Sequence, residues 1–413
     1  MKFTTPQTNK TPPSVIPSSQ TSKHQKVKTK IQCKKITLLD DILRTEFLSA
    51  RNFIYTLIEE PIKQASDIQI PSSRNFPFDR GLSKNFDIAT FKTLCNEPDW
   101  VRLYNKIPNE AELYLIRNIE QDSLVIGYEM PPWLTQALSK HAFDWLDIRL
   151  SPIRFARDLY LIINSNRSTL RIDLNNYHTT SSELRLEAGL LKASILHNSK
   201  IPSAPTPEGM LLFIGQTKKD ASLVSESGCI YRIDNFAEKI LTVAANKSID
   251  YKPHPYDKDH SRTEVKKLHY ITGKKPRIIK ESIYQLLAGR IELEILAISS
   301  GVLQEAPYFD RKSHPLFKPV CNLDDQNIIH IRFSNFISPS FWEQLITGKK
   351  SNNTLDTPNI QLNQMRRLHN AYWGYADYML ENDLFYRNMF KYEIKRFFSK
   401  IPNFIAQKIQ RNN

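Results

Sequence analysis

The sequence predicts an α/β protein built on open, mostly parallel sheets, and three observations carry that prediction. Apolar strand-like runs recur at MLLFIGQ (210–216), IDY (249–251) and LEILAI (293–298). Each leads into polar residues: TKKD (217–220), KPHP (252–255) and SSG (299–301). Helical periodicity fills the intervals, at 236–246, 263–271, 282–288 and 301–306, with one further short strand at 277–280. Strands alternating with short helices describe βαβ units, and ligands bind at the carboxyl edge of such sheets.

A chain of 413 residues exceeds one ordinary core, so two domains are expected. Its formal charge of +14 points to a polyanionic partner: nucleic acid, an anionic membrane face or phosphorylated substrates. The four cysteines (Cys33, Cys95, Cys229, Cys321) form no CxxC pair. That argues against a zinc ribbon or a disulfide framework and for reduced thiols in a cytoplasm. The N-terminus lacks the apolar core of a signal peptide, and no apolar run reaches the ~18 residues of a membrane span. A soluble or peripheral protein is expected.

Taken in order, residues 1–35 are rich in Lys, Thr, Pro, Ser and Gln and contain no acid, as in a disordered basic tail. From residue 36 to 74 the spacing of Leu39, Ile42, Leu43, Phe47, Phe53 and Leu57 is helical. LYLI (113–116) and SLVIGY (123–128) read as strands, and Glu129 ends the second. Pro131 and Pro132 then start a helix at 133–141. Strand character returns in DWLDIRLSPIRF (144–155) until Pro152 stops it, and 180–197 is a capped helix. The proline-rich stretch 201–209 reads as a linker.

At 385–409 apolar residues line one face with lysines and arginines around them, although Pro402 interrupts it. That is the pattern of a helix lying on an anionic membrane, which the one-sided charge favours, or of one packed on the protein with solvated lysines. The expected organisation is thus a tail (1–35), an N-terminal Rossmann-like domain (36–205), a nucleotide-binding Rossmann-like domain (206–345) and C-terminal amphipathic helices (346–413).

Several residues can carry chemistry, and each also has a plain structural reading. His254, fixed between two prolines, can donate to a phosphate or protonate a leaving oxygen, or simply mark a rigid turn. Ser299, Ser300 and Gly301 make either an anion site or an ordinary helix cap. Neither GxGxxG nor GxxxxGK[ST] follows a strand, so the dinucleotide and P-loop readings lack support. Asp220 can be a base, a nucleophile or a cap. Glu129 and Asp147 end strands of the first half and can oppose Asp220 as paired carboxylates. Arg149 and Arg154 can bind a substrate carboxylate, or pair with Asp147.

GYEMPPWL, WLDIRLSPIRF, LLFIGQTKKDASL, KPHP and ISSGVLQEAPYF, in this order over about residues 110–320, resemble the retaining β-Kdo transferases of bacterial capsule and O-antigen assembly. The KPHP and SSG turns are also similar to motifs of bacterial sialyltransferases. The resemblance implies a GT-B architecture, two Rossmann-like domains facing a central cleft. It implies a CMP-β-Kdo donor, with His254, Ser299 and Ser300 at its phosphate and Gln216, Lys252 and Gly301 completing the nucleotide-sugar site. It further implies Asp220 as the nucleophile, Asp147 or Glu129 as acid/base or acceptor ligand, and no metal or other cofactor. The expected acceptor is a lipid-linked glycan at the inner face of the bacterial inner membrane, reached through the basic C-terminal helix. The alternatives are an inverting, sialyltransferase-like enzyme with the same nucleotide site, or a basic RNA-binding protein. Aromatics and lysines do not interleave as RNA recognition requires, so no nucleic-acid partner is expected.

Overall fold

The computed structural model describes residues 33–44, 48–198, 209–245, 247–254, 257–348 and residue 365. Most of the basic tail, the 201–208 stretch of the linker and the amphipathic helix expected at 385–409 lie outside these residues. Among the described residues the strands are β1 (Lys35–Leu38), β2 (Ser123–Tyr128), β3 (Asp144–Leu150), β4 (Tyr160–Ser165), β5 (Met210–Ile214), β6 (Ile249–Lys252), β7 (Leu293–Ala297), β8 (Lys312–Pro315) and β9 (Ile328–Arg332).

They form two sheets. The first has the order β1-β2-β3-β4-β9, with β1, β2 and β3 parallel and β4 and β9 antiparallel to their neighbours. The second, β6-β5-β7-β8, is parallel throughout. Every residue of β2 (SLVIGY) and of β5 (MLLFI) is buried. Runs apolar on both faces suit central strands that helices cover on both sides. On one side of the first sheet, Ile54, Ile58 and Trp342 pack against Ile126 and Leu146. On the other, Leu115, Trp133 and Leu138 close over Val125 and Trp145.

In the second sheet the chain leaves β5 toward β6 on one side, and leaves β7 toward β8 on the other. The carboxyl ends of β5 and β7 therefore diverge, and a crevice forms where parallel α/β sheets take their ligands.

Several local expectations are corrected. LYLI belongs to the helix Asn109–Arg117, not to a strand. Pro108 precedes it, Glu110 and Glu112 occupy its first turn, and Ala111 and Leu115 bury four residues apart. A four-residue apolar run cannot by itself tell strand from helix. The stretch from 36 begins as β1, and the helix comes only at Leu48–Ala65. The strand expected at 277–280 amounts to one bridge, Tyr251 to Ile278.

The halves also interleave more than a boundary near 205 implies. The helix Ser181–Asn198 buries Leu184, Ala188, Leu191 and Ile195 against Leu212 and Ile295 of the second sheet. Conversely, β9 and the helix Pro339–Thr347, expected with the second half, complete the first sheet and its core.

Where the halves meet, contacts are close and specific. The buried Glu305 accepts the backbone N–H of Arg154 at 2.6 Å and the Tyr284 hydroxyl at 2.9 Å. Phe155 packs edge-on against Phe309 at 5.1 Å. Asn105 donates to the Ser225 carbonyl at 2.7 Å. A Cβ on Gly301 would stand 2.9 Å from the Pro152 carbonyl oxygen, so glycine there lets two backbones touch. Gly301→Ala is therefore expected to destabilise the protein by about 1–3 kcal/mol, although alanine is the better helix former. Chemical denaturation checks this; an unchanged or raised midpoint would remove the close approach.

Candidate active site

The β5–β7 crevice is closed at its base by one side chain. Gln216, two residues beyond β5 and only 6% exposed, reaches the backbone of Ser299 beyond β7. Its Oε1 accepts the Ser299 N–H at 2.8 Å, and its Nε2 donates to the Ser299 carbonyl at 2.6 Å. Both ends of the amide are thus used on a single residue. Gln216 is a clamp between two loops.

Asp220 hangs from the same clamp. Its Oδ1 accepts the Ser222 N–H at 2.9 Å, which caps the short turn Ala221–Leu223. Among the described residues its Oδ2 has only a long hydrogen-bond contact, 3.4 Å from Gln216 Nε2. One oxygen is anchored by a backbone amide and the other is lightly held.

The β6 loop adds the third side. Asp257 accepts the Lys218 N–H at 2.9 Å and caps the helix Lys258–Thr272 through the His260 N–H, tying the Thr217–Lys219 loop to the β6 loop. His254 lies within electrostatic reach of Asp220, Asp257 and Arg154. Burial pushes its imidazole below the ordinary value; the two carboxylates oppose that shift and Arg154 reinforces it. His254 is therefore neutral at pH 7, a hydrogen-bond donor more than a charge. Burial likewise lowers Lys252, and Glu281 opposes it.

Ser299 and Ser300 are occupied within the protein. The Ser299 hydroxyl donates to the Lys318 carbonyl at 2.8 Å, and the Ser300 hydroxyl accepts the Val302 N–H at 3.4 Å. With Gly301 packed against Pro152, this turn shapes the crevice and joins the halves.

The first sheet presents a second group at its own carboxyl ends. Asp147, 1% exposed, accepts the Met130 N–H at 2.8 Å and pairs with Arg149 Nε at 2.6 Å. Arg149 in turn donates to the Met130 carbonyl at 2.7 Å. Burial pushes the Asp147 carboxyl up, and the guanidinium and the Met130 N–H pull it back. Both oxygens of Asp147 are thus engaged within the protein.

That pair grips both sides of the Met130 peptide group's neighbourhood and so poses the residue before it. Glu129 has φ of +52°, a left-handed conformation rare for a side chain of its size, and its carboxylate is 46% exposed. Arg44 stands 3.8 Å away, stacked over Trp100 at 5.2 Å, and Tyr104 and Asp41 lie within electrostatic reach of the group. The sequence reading missed Asp41, Arg44 and Tyr104. The signal was present in TLLDD, an acidic pair closing a strand, but a helical reading of 36–74 hid it.

The groups of the two halves sense one another. Lys318, beyond β8, is lowered by burial and by Arg149 across the interface, with Glu226 opposing. Arg154, on the segment after β3, interacts with His254 beyond β6. Arg149, Arg154 and Lys318 thus stand where the halves meet, with Asp147, Asp220 and Glu226 also in reach. The cavity of about 300 Å³ lined by Lys106, Trp133 and Gln136 contains none of these groups. Among the described residues no cluster of His, Cys, Asp and Glu is arranged to hold a metal, and no helix is long and apolar enough to cross a membrane.

No protein-family model matches the chain, and no curated protein does. Among solved structures it is similar to KpsC from Thermosulfurimonas dismutans. To the structure titled beta Kdo 2,7 transferase it is 15% identical with a TM-score of 0.32, over 53% of this chain and 79% of that one. To the beta Kdo 2,4 transferase it is 16% identical with a TM-score of 0.30, over 54% and 78%. Likeness this distant decides nothing about chemistry; the residues above have to.

Two outcomes follow from the site. The His254 ring protons should titrate in NMR below the ordinary ~6.5. Because the folded value is depressed, the stability it contributes is full above that pH and declines as pH falls below it. Asp147→Ala leaves the partly buried Arg149 without its partner and should cost about 3–5 kcal/mol in denaturant unfolding. A loss under about 1 kcal/mol would show an ordinary surface pair instead.

Proposed function

We propose that this chain is a glycosyltransferase that moves Kdo, or a related ulosonic acid, from a CMP-activated donor to a glycan. One observation carries the reading: Asp220 is anchored by one oxygen at the β5–β7 switch point, with His254 in electrostatic contact beside it. The ordered motifs that resemble β-Kdo transferases contribute these same residues. Two sheets whose carboxyl-end groups interact across their junction fit a GT-B arrangement.

In the proposed cycle the donor phosphate lies among Lys252, His254 and Arg154. The cations supply charge, and neutral His254 supplies an N–H. Asp220 attacks the anomeric carbon, forming a C–O bond while the bond to the CMP phosphate breaks and its electron pair leaves on the phosphate. The acceptor hydroxyl then attacks that carbon from the face CMP left, Glu129 takes its proton, and the Asp220 carboxylate is released. Two displacements at one carbon retain its configuration. Arg149 and Lys318 are the cations placed to meet a sugar carboxylate. An acceptor carried on lipid at the cytoplasmic face of the inner membrane would account for the basic charge and for the helix expected at 385–409.

Asp220→Asn should abolish transfer, a loss of at least about 10³-fold in kcat, while calorimetry shows CMP still bound. Near-wild-type transfer by that variant would remove Asp220 as nucleophile. NMR of the product separates retention from the inversion of a sialyltransferase-like mechanism. A thermal-shift preference for UDP or GDP over CMP would overturn the donor, and salt-sensitive RNA binding without sugar transfer would favour the RNA-binding reading.

A further inference from the structure

Beneath the Gln216 clamp lies a buried polar group that the proposed cycle does not use. Glu264, on the helix Lys258–Thr272, is 5% exposed, and its Oε2 accepts the hydroxyl of Tyr251 on β6 at 2.5 Å. Tyr251 is fully buried. The Gln216 backbone N–H lies close enough to Glu264 to lower its carboxyl slightly. Gly215 lies directly on this pair: a Cβ there would be 2.1 Å from the Tyr251 hydroxyl oxygen and 3.1 Å from Glu264 Oε2.

A buried carboxylate is costly, and an apolar pair of similar volume would hold the helix to β6 as well or better. Its position needs another explanation. The Glu264–Tyr251 pair packs directly under the Gly215–Gln216 backbone, while the Gln216 side chain fixes Ser299 and touches Asp220 and Ser222. A shift of that backbone moves both loops of the crevice together.

We infer that Glu264 is a positioning residue for the nucleotide grip, its carboxylate setting the Gly215–Gln216 turn and, through the Gln216 amide, the β5 and β7 loops. The inference rests on the reading above, in which these loops hold CMP. The ionised form accepts the Tyr251 hydroxyl and attracts the nearby Gln216 N–H; the protonated form has an O–H to place against Gly215 and weakens that hold. Burial raises the carboxyl to about 7, with Asp257 adding to the shift and Tyr251, Arg232 and the Gln216 N–H opposing it. His260, one turn earlier on the same helix, faces the other oxygen at 3.6 Å, and burial lowers its imidazole, so that it is neutral there. The positioning is therefore in force on the alkaline side of neutrality and relaxes as pH falls through it.

The test is calorimetric titration of the full chain with CMP from about pH 6 to about pH 8.5. Wild type and Glu264→Gln, which mimics the neutral acid, are compared as a ratio of Kd. Titration of the CMP phosphate is common to both proteins and cancels in that ratio. Wild type should bind about tenfold tighter at the alkaline end and converge on the variant at the acid end. Tyr251→Phe removes a bond that lowers the carboxyl, so with that variant the midpoint should move to higher pH. It also keeps the inference testable should Glu264→Gln fail to fold. A purely structural tie would change the unfolding midpoint but leave the Kd ratio flat with pH, and that result overturns the inference. Wild type failing to bind CMP at any pH removes the donor reading, and the inference with it.

Discussion

The two hydrogen bonds between the Gln216 amide and the Ser299 backbone hold the second half in a working shape. Parallel strands that diverge at a switch point leave a gap with unpaired backbone groups on both sides. Ser299 presents an N–H and a carbonyl into that gap, and one buried amide satisfies both. Leaving either unpaired would cost about 1–3 kcal/mol, so the crevice keeps a defined width. Asp220, Ser222 and the Ser299–Gly301 turn all take their positions from that width.

The first half solves a similar problem with charge. β2 must end abruptly at Glu129, in a backbone conformation that side chains of its size disfavour. Asp147 and Arg149, two residues apart on β3, project to the same face and take the N–H and the carbonyl of Met130 between them. The strain at Glu129 persists because its neighbour is held at both ends. The acid that results is posed and partly exposed, while the acid that poses it is buried. Two carboxylates 18 residues apart in the chain thus sit in opposite environments, one buried and paired, the other partly exposed.

The halves are joined by chain crossing as well as by surface contact. β4 belongs to the first sheet and the helix Ser181–Asn198 to the second, and β8 to the second and β9 to the first. Glu305, at the seam, accepts a backbone N–H from one half and a tyrosine hydroxyl from its own. Such a seam keeps Arg149 opposite Lys318, and Arg154 opposite the neutral His254. Bringing the like charges of Arg149 and Lys318 together costs energy, and the cost falls when an anion lies between them.

Much of the fold was legible because its central strands announce themselves. β2 and β5 are apolar on both faces, so SLVIGY and MLLFI read as buried parallel strands without help from any neighbour. The turns after β5, β6 and β7, with Gln216, Asp220, His254 and Ser299, follow from where those strands stop. LYLI and the start of β1 were misread because four apolar residues fit either period, and Glu110 and Glu112 speak for a helix only once its packing is seen. Edge strands such as KSHP at β8 carry no periodic signal, since pairing and not composition makes them strands. The division of labour among the polar residues was decided by tertiary structure alone. Sequence places Asp147, Glu129, Gln216 and Glu264 near strand or helix features, but only burial and hydrogen-bond partners separate a clamp from an exposed acid. Those partners lie 17 residues away for Asp147 and 83 for Gln216, beyond the reach of any local pattern.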